Sequence, residues 1–247
     1  MKRRATTSTT IRIAITAVFT SLVFVATTIF SVNVPQTTGF FNIGETMVYI
    51  TALLFGPLVG AFAGGVGSAF ADLFLGYPQF ALATLIIKAC EGAVVGMLTR
   101  RRLKFSSKLQ WKVFTVIFGL IAGVLLGAIG SFYYSGSVDL YIGFPPPENP
   151  TLSLFVPKEF WYSLGVLVIL LISLMGFVFE PEFGWFVFSI LLGGSLMIIG
   201  YFIYQQFFLG VVAVAEIPFN IGQMIIGLVI ALPIVRAIWR SLPSVKI

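Results

Sequence analysis

Long apolar stretches alternate with short polar ones along almost the whole chain. The apolar runs are Ile11–Val34, Thr46–Phe55, Leu58–Leu75, Phe80–Thr99, Trp111–Tyr134, Phe160–Phe179, Phe183–Leu209 and Ile217–Ile238. Uncharged runs beyond ~18 residues read as membrane-spanning helices. The pattern predicts an all-α integral membrane protein, a polytopic bundle of about eight transmembrane helices. The first run is longer than the ~7–15-residue apolar core of a secretory signal, so it reads as a retained helix.

The second run is ambiguous by pattern alone. Thr46 to Ala71 carries no charge and would make one long helix. Pro57 would then sit in its middle and remove a backbone hydrogen bond. The basic residues decide between the two readings. They cluster at Lys2–Arg12, Arg100–Lys112 and Arg236–Lys246. A break at Phe55-Gly56-Pro57 puts all three clusters on one side, and basic loops face the cytoplasm. Both termini are then cytoplasmic, and 13 of the 15 Lys and Arg residues lie inside, with Lys88 and Lys158 as exceptions. The second helix is short, ~21 Å from Asn42 to Phe55 against a ~30 Å hydrocarbon layer. It has to stand upright, borrow length from its flanks or be shielded by neighbours; a re-entrant pair has the same parity. The segment Ser135–Glu159, with Pro145-Pro146-Pro147 and Pro150, reads as a structured or extended outer connector.

Composition narrows the function. The 247 residues are 58% hydrophobic and 10% charged, against roughly 25% charged in a soluble domain, which leaves no room for a sizeable soluble domain. There is no His and a single Cys, Cys90, so intrachain disulfides, a His-based triad and the usual zinc sites are excluded. The residues call for no metal and no cofactor. No G-x-x-x-x-G-K-[ST] run is present, so the chain carries no ATP site of that kind. The formal charge of +6 fits cytoplasmic loops better than nucleic acid.

Small residues recur at helical spacing: Gly60, Gly64, Gly67 and Ala71; Gly92 and Gly96; Gly119, Gly123 and Gly127. They predict close helix packing within the bundle. Ala14, Ala17 and Ser21 share one face of the first helix. Packing inside the chain and docking to another membrane subunit explain that face equally well.

Ionisable groups inside a membrane are expensive and point to function unless they are paired. Asn42-x-x-Glu45 resembles a capping box, so Glu45 is either a cap or a binding group. Glu216 before Pro218 invites the same capping reading, but Glu216, Asn220 and Gln223 continue as a polar stripe down the last helix. Asp72 lies near a helix C-terminus, where an anion is disfavoured and needs water or a cation; Tyr77 and Gln79 follow in the outer turn. Lys88 lies ~13 Å into the fourth helix, close to the midplane, and needs an anion. Glu91, one turn on, supplies one in a purely structural pair. In the other reading Lys88 faces an outward cavity and meets Asp72, Glu45, Glu216 or a polar solute. Tyr201, Tyr204 and Gln205 add polar groups near the outer end of the seventh helix, where an interfacial aromatic belt also accounts for the tyrosines. Such an amphipathic pocket, with rings from Phe40, Phe41 or Tyr77, suits a small heteroaromatic solute.

The stretch FNIGETMVYITALLFGPLVGAFAGGVGSAFADLFLGYPQFALATLIIKACEG, from Phe41 to Gly92, resembles the substrate-binding S components of energy-coupling-factor (ECF) vitamin transporters, in the riboflavin-transporter-type branch. Gly200–Ile234 resembles that family's last two helices. The resemblance implies a six-helix core, residues 11–105 and 183–240, with 106–182 as an inserted helix pair and proline-rich outer loop, all within one membrane domain. It implies a plasma-membrane protein that binds a vitamin or precursor from outside, performs no chemistry, and works with a transmembrane coupling subunit and two ATPase subunits. Docking through Ala14, Ala17 and Ser21 is implied, as is a pocket that includes Asn42, Lys88, Tyr201, Gln205, Glu216, Asn220 and Gln223. With Glu45, Asp72, Tyr77, Gln79 and Glu91 from the residues themselves, these are the candidate substrate-binding groups. The alternative is a stand-alone proton-coupled transporter using Lys88, Asp72 and Glu91. An intramembrane enzyme lacks both a His and a paired-carboxylate motif. On this reading Lys88→Met weakens ligand binding and leaves the protein folded; normal affinity with a collapsed fold marks a structural pair instead.

Overall fold

The structure, a computed structural model, describes residues 2–34, 39–101, 103, 105, 107–133, 135–140 and 152–241. Among the described residues there are eight α-helices: α1 (Lys2–Ile29), α2 (Gly44–Phe55), α3 (Pro57–Leu75), α4 (Pro78–Arg100), α5 (Lys108–Tyr133), α6 (Lys158–Val178), α7 (Pro181–Leu209) and α8 (Ile217–Ser241). Seven contain spans long and apolar enough to cross a membrane, and α2 is the short one. Two antiparallel hairpins join them, β1 (Ser31–Val34) with β2 (Gly39–Asn42), and β3 (Gly136–Leu140) with β4 (Leu152–Val156). The chain forms two compact units, Met1–Arg102 with Phe186–Ile247, and Leu103–Trp185.

The first hairpin corrects the sequence reading, which ran the first helix on to Val34. Ser31 pairs with Asn42 and Asn33 with Phe40, so the alternating SVNV segment is extended. Two β-branched valines two residues apart favour the pleated backbone over a helical turn. The proline cluster at Pro145–Pro147 and Pro150 lies outside the described residues, as do Arg102, Lys104 and Lys246 of the basic clusters. The flanks of that connector form the second hairpin.

The break before Pro57 is present. Gly56 has φ 81°, a left-handed value that strains a β-carbon, and Pro57 opens α3, where its missing N–H costs nothing. The Arg100 guanidinium donates to the Phe55 carbonyl at 2.7 Å. A cation therefore satisfies an orphan carbonyl at the C-terminal end of α2, and the break lies level with the basic end of α4.

Ten of the twelve α2 residues are buried. At ~18 Å this helix falls short of the hydrocarbon layer, and α1, α3, α4 and α8 pack around it. Shielding, the third of the three solutions open to a short helix, is the one realised. Val23, Val48 and Ala63 form a core where α1, α2 and α3 meet.

Helix α3 has large side chains outside and small ones inside. Phe62, Phe70, Leu73 and Phe74 are exposed, while Gly60, Ala63, Gly64, Gly67 and Ala71 are buried. This suits lipid, where small residues let backbones approach and large apolar ones face the acyl chains. A β-carbon on Gly60 would lie 2.8 Å from the Gly92 carbonyl oxygen of α4; one on Gly67 would lie 2.7 Å from the Thr20 carbonyl of α1. The glycine faces of α3 and α4 are thus used for packing within the chain. In the second unit Gly119 and Gly123 of α5 abut α6 at Ile169 and Gly165 in the same way. There the Trp111 indole N–H donates to the Phe179 carbonyl at 3.1 Å. By contrast Ala14, Ala17 and Ser21 are exposed, so packing within the described chain does not account for that face.

Candidate functional site

The last turn of α3 begins the site. Gly76 ends the helix at φ 87°, and the Tyr77 N–H closes the turn on the Asp72 carbonyl at 2.8 Å. This holds the Asp72 side chain inward, 4% exposed. The Thr84 hydroxyl, from α4, hydrogen-bonds one oxygen of its carboxylate. Tyr201, from α7, donates to Thr84 Oγ1 at 3.0 Å. Asp72 Oδ2 has no hydrogen-bond partner among the described residues.

One turn beyond Thr84, Lys88 lies on the same helical face. It is buried and ion-paired twice, with Glu45 of α2 and with Glu91 Oε2 at 3.2 Å. The Tyr49 hydroxyl donates to Glu91 Oε1 at 2.8 Å. The Lys88 ammonium also lies 5.7 Å from the Tyr201 ring centroid, within cation–π range. Glu45 is therefore not the capping residue that Asn42-x-x-Glu45 suggested. Helix α2 starts at Gly44 with no side-chain cap bond, and Asn42 Oδ1 accepts the Gly44 N–H at 2.8 Å. Glu45 stands in the first turn, at the positive end of the helix dipole, turned toward Lys88.

The first hairpin is tied to α8. The Asn42 backbone N–H donates to Gln223 Oε1 at 3.3 Å, and Gln223 Nε2 donates to Asn220 Oδ1 at 3.0 Å. This uses the polar stripe that the sequence showed below Glu216.

These elements surround a polar-walled cavity open on one side. Asn42 of β2, Asp72 of α3 and Lys88 of α4 line it. So do Tyr201 and Gln205 of α7, Glu216 at the end of the 3₁₀ turn Gly210–Glu216, and Asn220 and Gln223 of α8. Four other candidates lie off the wall. Glu45 and Glu91 stand behind Lys88 as its partners. Tyr77 stacks on Phe40 with centroids 5.0 Å apart. Gln79 is exposed and accepts the Tyr204 hydroxyl on its backbone carbonyl. Phe40 lines the cavity; Phe41 does not.

Sequence reasoning missed Thr27, Ser68, Phe80 and Thr84 in the lining. Ser68 and Thr84 lie four residues before Asp72 and Lys88, so helical spacing places them on the same faces. Thr27 and Phe80 carry no such signal. Among the described residues four carboxylates, Glu45, Asp72, Glu91 and Glu216, line or back the cavity against one ammonium.

Tyr49→Phe tests the buried network apart from any ligand. It removes the donor to Glu91 Oε1 and leaves a buried carboxylate oxygen short of one bond. The expected cost is about 1–3 kcal/mol of stability, read as a lower unfolding midpoint in detergent. An unchanged midpoint would mean that the bond contributes nothing.

A sequence profile described as "ECF-type riboflavin transporter, S component" matches residues 7–175. A stretch of 119 residues is 41% identical to a protein of Pyrococcus woesei described as "Uncharacterized protein in gap 3'region". That similarity covers 48% of this chain and 73% of the relative. The profile takes in α1 to α5, most of α6, and the Asn42, Asp72 and Lys88 walls of the cavity. The polar groups of α7 and α8 lie beyond it. S components are substrate-binding subunits of membrane transporters and not a class of enzyme. With its cavity set among apolar spans and the greater part of its length matched, this multi-pass membrane chain belongs to the ECF-type riboflavin transporter S-component family.

Proposed function

We propose that this protein captures a vitamin or vitamin precursor from outside the cell and delivers it with a transmembrane coupling subunit and two ATPase subunits. The observation that carries this reading is the cavity with buried polar walls. Its lining groups Phe80, Thr84 and Lys88 occupy the half of α4 that begins at Pro78. The other end carries Arg100, ~18 Å from Lys88 along the helix. Basic ends face the cytoplasm, so the cavity opens outward and both termini lie inside.

The exposed face at Ala14, Ala17 and Ser21 supports docking of the coupling subunit through α1. Only 6% of the apolar window of α1 is buried, against 56% for α3, which leaves surface for a partner. The compact unit Leu103–Trp185 supports reading α5 and α6 as an addition to a six-helix core, although the family match runs through both of them.

Reconstitution tests the proposal. Liposomes holding this chain, a coupling subunit and its ATPases are expected to accumulate the solute only with ATP. Uptake by this chain alone, abolished by a protonophore, would replace the reading with a proton-coupled transporter. That alternative relays protons through Lys88 with either Asp72 or Glu91. Among the described residues the buried ion pairs join Lys88 to Glu45 and Glu91, and none includes Asp72.

A further inference from the structure

The cavity's polar groups are unevenly spent. Its one ammonium, on Lys88, is engaged by Glu45 and Glu91. Gln223 donates to Asn220 and accepts from Asn42. Two acceptors in the lining are buried and unmet. Asp72 Oδ2 and Gln205 Oε1 have no hydrogen-bond partner among the described residues, and their side chains are 4% and 2% exposed. Glu216 places a further buried carboxylate on the same wall. A buried carboxylate oxygen without a partner is costly in a low-dielectric site. A ligand that supplies donors there removes that cost on binding.

We infer that the substrate is a small flat heterocycle that presents a positive charge, or an edge of at least two N–H donors, to Asp72 and Gln205. Its ring packs against Phe40 and Phe80. The inference rests on the reading of this cavity as the solute site. It excludes phosphorylated and carboxylated solutes, because an anion entering the cavity meets Asp72 and Glu216 with no free cation among the described lining residues. Amines, amidines, aminopyrimidines and cationic ring nitrogens fit. The ring face suits Phe40, which is held from behind by its stack on Tyr77.

The test uses the purified full-length protein in detergent. Thermal shift and native mass spectrometry are run with thiamine as a cationic probe, riboflavin as a neutral one, and nicotinate and flavin mononucleotide as anionic ones. A wider set of heterocyclic amines and acids extends each class. Wild type, Asp72→Asn and Gln205→Leu are compared. The tightest ligand is expected to be cationic or donor-edged, and each substitution is expected to weaken it about 10- to 100-fold. The two variants remove the acceptors from different helices, so one that fails to fold leaves the other to report. A tightest ligand that is anionic, or neutral with fewer than two N–H donors on its ring edge as riboflavin is, or full affinity in both variants, overturns the inference and leaves the importer reading standing. Failure of every compound to bind, with no copurified small molecule, overturns the importer reading and the inference with it.

Discussion

Lys88→Met is expected to unfold the protein more easily as well as to weaken ligand binding. The sequence alone suggested a loss of affinity in a protein that stays folded. The structure changes that expectation, because Lys88 compensates two carboxylates, Glu45 and Glu91, both at most 1% exposed. Removing one partner of a buried ion pair costs about 3–5 kcal/mol, since the remaining charge is left uncompensated. The measurement is the unfolding midpoint in detergent without ligand. Neutralising the partners as well, in Lys88→Met with Glu45→Gln and Glu91→Gln, is expected to recover much of the lost stability. It does not restore ligand binding if the ammonium also positions the solute. An unchanged midpoint in the single variant would show that the two acids are already neutral or hydrated.

Gly92→Val is expected to have an effect of similar or greater size by a different route. A β-carbon at Gly92 would run into the Gly60 carbonyl group, and one at Gly60 would lie 2.8 Å from the Gly92 carbonyl oxygen. Both obstacles are backbone, so no rotamer change relieves them. Overpacking usually costs about 1–3 kcal/mol, and more where nothing can yield. The expected result is poor recovery from the membrane, or a protein whose α3 and α4 no longer pack. Gly76 is the control. It also has positive φ, 87°, but a β-carbon there meets nothing within 4 Å. Gly76→Asn is expected to be nearly silent, since Asn accepts the left-handed backbone. Equal effects at the two sites would remove the close-approach explanation.

The helices were legible because lipid imposes long uncharged runs, and the break at Pro57 because charge had to fall on one side. The buried groups Lys88, Asp72 and Glu216 stood out because they are rare in such runs. What could not be read is which acid meets which base. Glu91 follows from helical spacing, but Glu45 lies 43 positions away in the chain, and no local rule pairs α2 with α4. That Asn-x-x-Glu left a capping role open for Glu45 has the same origin. Asn-x-x-Glu is a local pattern, and a distant ammonium competed for the carboxylate. The β1–β2 hairpin was hidden for a related reason. Ser31–Val34 is apolar enough to continue a membrane helix, and its extended form depends on a partner strand that a run of hydropathy cannot reveal.

Where two main chains touch with no side chains between them, neither can slide without lifting off the other. Asp72 and Lys88 stand on such a clasped pair, α3 and α4, so their spacing is expected to change little as the chamber fills. Widening to admit a solute is then expected at the opposite wall. There the strand at Asn42 is held by side-chain amides of α8 and by the ring of Tyr77, and Tyr201 leans in from a separate helix.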